Sequence, residues 1–349
     1  MCFYRFGEQV GKKTADTHFL SNRSWCRFAV EASLEAPLVS LATWSVNMTK
    51  EKRNVIVGQS GGPTAAINSS LAGVYRTALD RGYKKVYGMI HGIQGLLEER
   101  YVDLSEHITN GLDAELLKRT PSAYLGSCRY KLPEISEDQA LYDKIFEILN
   151  RLEIDCFIYI GGNDSMDTIK KLSDYAILTG SDIRFVGCPK TIDNDLALTD
   201  HTPGYGSAAK YIGTSVKEII RDGWSLETTN GQVVIIEVMG RNAGWLTGAT
   251  ALAKGEDCDG PDAIYLPELP FDVNKFVDKC KELLKKKASI VIAVSEGIHT
   301  EDGTYISEMD NSIDYVDAFG HKQLTGTARY LCGVVAKEIG CKTRSIELS

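Results

Sequence analysis

From Asn54 onward, short runs of apolar and β-branched residues alternate with amphipathic helical patterns, and this alternation limits the possible fold more than any other feature. The runs fall at 54–58, 85–90, 155–160, 184–187, 232–238, 263–266 and 290–295. Between them, Ile67, Leu71, Val74 and Ala78 share one helical face, as do Leu141, Ile145, Ile148 and Leu152. Ala208, Ile212, Val216 and Ile220 repeat the three-or-four spacing, and so do Val273, Val277, Cys280 and Leu284. Strands that are apolar on both faces need cover on both faces. The pattern therefore predicts an α/β fold of mostly parallel sheets flanked by helices. Ligands of such sheets gather beyond the carboxyl ends of the strands, so the residues directly after each run are the candidates for chemistry.

Composition narrows the partners. With 47 acidic against 39 basic residues the formal charge is −8, which argues against a general nucleic-acid binder. No apolar run approaches the ~20 residues that span a bilayer. The nine cysteines form no CxxC pair and the six histidines no metal spacing, so core thiols in a reducing compartment are expected. Residues 1–48 carry no glycine motif and no period. They lack the apolar core of a secretory signal, and Glu8, Asp16, Glu31 and Glu35 are out of place in a transit peptide. An early-assigned start fits, with Met48 leading into the first strand, and the extension is expected to be dispensable.

Five segments follow strands. The first is Gly58-Gln-Ser-Gly-Gly-Pro-Thr64, where glycines allow a close backbone approach and a following helix offers free N–H groups to a phosphate. No GK[ST] follows, so it is not a Walker loop, and a simple tight turn is the alternative. The second is Gly161-Gly-Asn-Asp-Ser165, either a second phosphate or metal–phosphate loop or an ordinary N-cap at Asn163 or Asp164. The third is Pro189-Lys-Thr-Ile-Asp-Asn-Asp195. Phosphoryl transfer to a hydroxyl needs a base, cations for the moving charge and in-line positioning. Asp193 can be the base, Asp195 can hold magnesium and Lys190 can neutralise phosphate oxygens; an Asx-rich loop is the alternative. The fourth is Glu237-Val-Met-Gly-Arg-Asn-Ala-Gly244, with Gly240 and Arg241 expected at a helix start as an anion site for the acceptor. The fifth is Ser295-Glu-Gly297, where Glu296 can accept hydrogen bonds from sugar hydroxyls or be a solvated loop acid.

In this order the motifs resemble the phosphofructokinase family, over the chain from about Asn54 to Gly320-His321. The resemblance implies two lobes with the active site in the cleft between them, Mg2+, and a cytoplasmic homodimer or homotetramer without membrane or nucleic-acid partners. It places Gly62 and Arg129, in Leu125-Gly-Ser-Cys-Arg129, on the diphosphate. It makes Asp193 the proton acceptor and assigns Thr191, Asp193, Met239, Gly240, Arg241 and Glu296 to fructose 6-phosphate. Asn163 stands where the family often has a magnesium-binding aspartate, which leaves Asn163 and Asp195 as the metal candidates.

Two departures bear on the donor. Asp164 replaces a glycine that leaves room for the α-phosphate of ATP, and Lys190 replaces another glycine common in ATP users. Pyrophosphate needs no nucleoside pocket, so both favour it. The expected reaction is reversible transfer from pyrophosphate to the 1-hydroxyl of fructose 6-phosphate, giving fructose 1,6-bisphosphate and phosphate, in glycolysis or gluconeogenesis. The alternatives are an ATP-dependent 6-phosphofructokinase and a catalytically silent or incomplete subunit. An NAD or lipid kinase would not carry the TIDND and MGR pair. Gln232 and Tyr315 stand where ATP users place arginines that reach a neighbouring subunit's sugar phosphate. His321 is kept without its arginine, so Lys322 is expected to help. The expected organisation is 1–48 extension, 49–204 donor lobe, 205–321 sugar-phosphate lobe, and 322–349 returning to the first lobe with its C-terminal part incomplete.

Overall fold

The computed structural model describes residues 53–225, 230–309 and 326–348. The first layer holds β1 (Asn54–Gln59), α1 (Ile67–Asp80), β2 (Lys85–Met89), α2 (Gly92–Leu97), β3 (Tyr101–Asp103), α3 (Gly111–Arg119), α4 (Gln139–Arg151), β4 (Ile154–Gly161), α5 (Asn163–Thr179) and β5 (Arg184–Pro189). The second holds α6 (Tyr205–Ser225), β6 (Gln232–Val238), α7 (Trp245–Gly248), β7 (Ala263–Tyr265), α8 (Val273–Leu284), β8 (Ser289–Ser295), α9 (Thr327–Ile339) and β9 (Lys342–Leu348). The strand orders are β3-β2-β1-β4-β5 and β7-β8-β6-β9. Every pairing is parallel except β2 with β3.

The two-residue period of a strand explains why helices are needed on both sides. In the first sheet Ile56, Phe157 and Tyr159 face a core shared with Ile145 and Leu149 of α4 and Leu172 and Tyr175 of α5. Their neighbours Val55, Val57 and Ile160 face the other way, onto Ile67, Leu71 and Tyr75 of α1. In the second sheet Val233, Ile235, Ile290, Ile292 and Val294 lie under α8 and α9. Val234, Ile236, Val238 and Val291 lie against Ile212, Val216 and Ile220 of α6. A fully buried Phe such as Phe157 costs about 3–5 kcal/mol when cut to Ala, so these four clusters dominate the stability. Helix ends are set locally. The Asp138 carboxylate accepts from Leu141 N and starts α4, Asp272 does the same for α8, and Gly180 at φ 68° ends α5.

All seven strand runs read from the sequence are strands. The expectation for 322–349 is corrected: α9 and β9 do not return to the first sheet. Ala328, Leu331, Cys332 and Val335 of α9 bury themselves in the α8-side core of the second sheet. β9 pairs with β6 from Gln232↔Lys342 to Val238↔Leu348, and Ile346 and Leu348 pack on the α6-side core. The 1–48 extension, Tyr315, His321 and Lys322 lie outside the described residues. The seven described cysteines are free thiols, five of them buried.

Candidate active site

The carboxyl ends of β1, β4 and β5 carry three of the motif loops, and those of β6 and β8 carry the other two. The glycine loop after β1 is pinned by its neighbours. Gly61 N donates to Cys128 O at 3.2 Å, Ser60 Oγ donates to the same carbonyl, and Ser127 Oγ donates to Gly61 O at 2.5 Å. Gly61 has φ +74°, a conformation that favours glycine, and a Cβ there would meet Lys190 Nζ at 3.2 Å. Around Gly62 a Cβ would meet nothing within 4 Å, so that side of the loop is open. α1 begins only at Ile67, which leaves Gly61 and Gly62 in the loop before the helix rather than in its first turn.

After β4 the chain enters α5 directly. The N-cap is Gly162 and no side chain caps this end, which overturns the reading of Asn163 or Asp164 as an N-cap. Asp164 instead stands in the first turn of a 17-residue helix, where unpaired N–H groups favour negative charge. Gly161 is required, because a Cβ there would lie 2.0 Å from Ser165 Oγ.

The loop after β5 supplies the charged centre. Lys190 is 7% exposed; its amide donates to Gly161 O at 3.0 Å and its ammonium donates to Gly62 O. Burial pushes the ammonium's pKa down and the nearby Arg129 adds to this, while Asp193 opposes it. Asp193 N donates to Thr191 Oγ1 at 3.0 Å, and the carboxylate's Oδ1 is buried with no hydrogen-bond partner. Burial raises the Asp193 pKa, the neighbouring Asp195 raises it further, and Lys190 and Arg241 pull against them. The loop keeps its shape through Asn194, in the left-handed region at φ 60°. Its side chain accepts from Thr202 N at 2.9 Å and donates to Asp200 O at 3.0 Å, and Thr202 Oγ1 donates to Thr191 O at 2.7 Å.

The second sheet meets this loop. Ile192 packs on the α6-side core together with Met239. Glu296 Oε1 accepts from Gly240 N at 3.1 Å. Burial raises the Glu296 pKa; the Gly240 amide lowers it, Asp193 raises it and Arg241 lowers it. Arg241 thus acts on both carboxylates, Asp193 after β5 and Glu296 after β8. Gly297 lets the two loops touch, since a Cβ there would lie 1.8 Å from Arg241 O.

The expected anion site at a helix start is corrected. α7 begins at Trp245 and is one turn long, so Gly240 and Arg241 lie in the loop ahead of it. Two amides of this loop are already used, Gly240 N by Glu296 and Gly244 N by Glu268 Oε1 at 2.6 Å. Gln232 sits 2% exposed at the first position of β6, the end opposite Gly240. The structure thus brings together Gly62, Lys190, Thr191, Asp193, Met239, Gly240, Arg241 and Glu296, with Arg129 and Asp195 close enough to act on Lys190 and Asp193. The bracing residues Ser127, Asn194 and Thr202 were not singled out from the sequence. The one local signal was an Asn between two aspartates, a residue type that tolerates the left-handed turn.

Among the described residues no three His, Cys, Asp or Glu side chains are grouped to hold a metal. The repulsion of Asp193 by Asp195 is what a nearby cation would relieve. Asp195 is the neighbouring carboxylate that such an ion would meet.

The phosphofructokinase family model matches residues 54–347. A pyrophosphate–fructose 6-phosphate 1-phosphotransferase of Xanthomonas campestris pv. campestris is 41% identical over 289 residues, covering 83% of this chain and 68% of the relative. The enzyme of the same name from Rhodospirillum rubrum is 42% identical over 296 residues, covering 83% and 70%. The crystal structure of a pyrophosphate-dependent phosphofructokinase from Nitrosospira multiformis superposes with a TM-score of 0.71 at 34% identity, covering 84% of this chain and 68% of that one. The chain belongs to the phosphofructokinase family.

Proposed function

We propose that the protein is a pyrophosphate-dependent phosphofructokinase, moving a phosphoryl group from pyrophosphate to the 1-hydroxyl of fructose 6-phosphate. The observation that carries this reading is the Lys190 ammonium tucked under the open Gly61–Gly62 loop, three positions from a buried carboxylate with an unbonded oxygen. Asp193 Oδ1 accepts the proton of the attacking hydroxyl, and its raised pKa makes it a better base than an ordinary aspartate. The bond from the transferred phosphorus to the bridging oxygen breaks as the bond to the sugar oxygen forms. Lys190 and Arg129 neutralise the departing phosphate, where stabilisation raises the rate. Gly62 lies along the donor. Thr191, Met239, Gly240, Arg241 and Glu296 hold the acceptor, with Arg241 on its phosphate and the carboxylates on its hydroxyls. Asn163 and Asp195, together with the substrate phosphates, would hold Mg2+, which would supply charge neutralisation on the phosphate oxygens. The products are fructose 1,6-bisphosphate and phosphate. Because the bond broken and the bond made are close in energy, the reaction runs both ways, serving glycolysis and gluconeogenesis.

Asp164 supplies the donor choice. Its carboxylate occupies the first turn of α5, where an α-phosphate would gain from the helix, and repels a nucleotide there. We assign residues 49–204 to the donor lobe and 205–321 to the sugar-phosphate lobe, with α9 and β9 joining the latter. A cytoplasmic location and a homodimer or homotetramer complete the proposal; no helix among the described residues is long and apolar enough to cross a membrane. Turnover measured with pyrophosphate and with ATP as sole donors tests the reading. The expected result is turnover with pyrophosphate and little with ATP. Preference for ATP, or inactivity with both, would sink it.

A further inference from the structure

Glu237 lies within the EVMGRNAGW motif but has no part in the site described above. It is 3% exposed, and it stands on the same face of β6 as Val233 and Ile235, at the edge of the apolar core under α9. Its carboxylate is nonetheless fully engaged. Oε1 accepts from Gly326 N at 3.2 Å and Oε2 from Ala328 N at 2.8 Å, so both oxygens grip the first turn of α9. That turn is tied a second time, because Thr327 Oγ1 donates to Glu296 O at 3.3 Å. Glu296 N in turn donates to Val238 O at 2.9 Å, next to Glu237 in β6, and the Glu296 side chain accepts from Gly240 N. One continuous set of bonds therefore runs from α9 through Glu237 and Glu296 to the Met239–Arg241 loop.

We propose that Glu237 is a positioning residue for the acceptor: its carboxylate fixes the first turn of α9 beneath Glu296 and so sets where Glu296 and Gly240 meet fructose 6-phosphate. The inference rests on the acceptor site proposed above. Burial raises the Glu237 pKa to about 7, with Glu347 and Glu296 adding to the rise and the Ala328 and Gly326 amides opposing it. The charged groups acting on it are thus Glu347, its register partner on β9, and Glu296 beyond β8; β8 offers Val294, and α9 offers backbone amides, with the exposed Arg329 following Ala328. A protonated carboxyl accepts from the two amides more weakly, since it loses its charge and one oxygen carries a proton to donate. Acidification through neutral pH therefore loosens the grip.

The test is calorimetric titration of the full chain with fructose 6-phosphate, for wild type and Glu237→Gln, at about pH 6 and about pH 8, on either side of that ionisation. The amide mimics the protonated acid. The two proteins are expected to bind alike at the acid pH and to differ roughly 3- to 10-fold at the alkaline pH, wild type tighter. Taking the ratio removes the titration of the substrate phosphate and of Asp193, which both proteins share. A ratio that stays constant with pH is what a purely structural cap would give, and it overturns the proposal. Should Glu237→Gln fail to fold, Thr327→Val removes only the hydroxyl bond to Glu296. It should weaken binding while keeping the wild-type pH dependence, and unchanged binding overturns the proposal. Absence of fructose 6-phosphate binding by wild type would instead overturn the acceptor reading and this inference with it.

Discussion

The strand ends of the first sheet and those of the second treat backbone and charge in opposite ways. On the first sheet the buried cation Lys190 is bonded to a backbone carbonyl and the buried Asp193 carboxylate leaves Oδ1 without a hydrogen bond, while Gly62 faces open space and α5 starts without a side-chain cap. On the second sheet the buried charges are carboxylates, and they use up the local amides: Glu296 takes Gly240, Glu237 takes Gly326 and Ala328, and the exposed Glu268 takes Gly244. The first sheet is thus left with free N–H groups for a compact, highly charged polyphosphate. The second has few amides to offer an anion, so recognition there falls to Arg241 and to carboxylates that accept from hydroxyls. One parallel-sheet architecture presents a phosphate cradle on one side and a sugar cradle on the other.

The largest expected effect lies where the two sides meet. Asp193→Asn keeps the shape and removes the base, so kcat should fall by roughly 10²–10⁴-fold with a smaller change in KM for fructose 6-phosphate. A variant with near-normal kcat would remove Asp193 from the chemistry and separate the two sides. Next comes Lys190→Met, which keeps an apolar stem and deletes the donor-side cation. A loss of about 10²–10³ in kcat with pyrophosphate is expected, with fructose 6-phosphate binding by calorimetry nearly unchanged. Equal damage to both would show that Lys190 serves both sides. Asp164→Gly is smaller in reach. It should raise the ATP-to-pyrophosphate ratio of kcat/KM by about tenfold or more, the scale of relieving one like-charge contact. An unchanged ratio would mean that the open donor side does not select its donor through α5.

Much of this was legible in the sequence, and the limits have physical causes. Buried strands such as Gln232–Val238 announce themselves because both faces must be apolar. β9 did not: Lys342, Arg344, Ser345 and Glu347 are exposed on an edge strand, so Lys-Thr-Arg-Ser-Ile-Glu-Leu carries little hydrophobic signal. The three-residue β3, an antiparallel edge strand, is too short to carry any pattern. In the site, the residue types of the loop after β5 gave away a base and a cation. The bond from Lys190 to Gly62 joins groups 128 positions apart and leaves no trace in local spacing. The occupied amides of the acceptor side were invisible for the same reason. Whether Gly240 N meets Glu296 or an anion depends on how β6 and β8 end side by side, and the expectation that a helix start would offer that amide to an anion was wrong.

The smallest effect concerns stability, and it follows from the cost of holding the base ready. Asp193 has a raised pKa, chiefly through burial. For a group raised in the folded state, the favourable contribution is present below the ordinary carboxylate value and is lost as pH rises through the folded value. Above that value the folded protein carries a buried carboxylate with one oxygen unbonded. Asp193→Asn removes this charge, so at pH 8 the variant should be more stable than wild type by about 1 kcal/mol, the usual size of gain from relaxing an active site. As the pH falls through the raised Asp193 value and the wild-type carboxyl takes up its proton, the difference in stability should shrink. The same substitution that abolishes turnover would then raise Tm by a few degrees, and only on the alkaline side. Lys190 limits the gain, because losing Asp193 leaves its buried ammonium without the carboxylate that opposes its lowered pKa. If Asp193→Asn melts below wild type at pH 8, the attraction to Lys190 and Arg241 outweighs burial. The centre would then be an ion cluster that stabilises the fold, and the contrast between a cationic and a carboxylate side would give way to a single neutralised site.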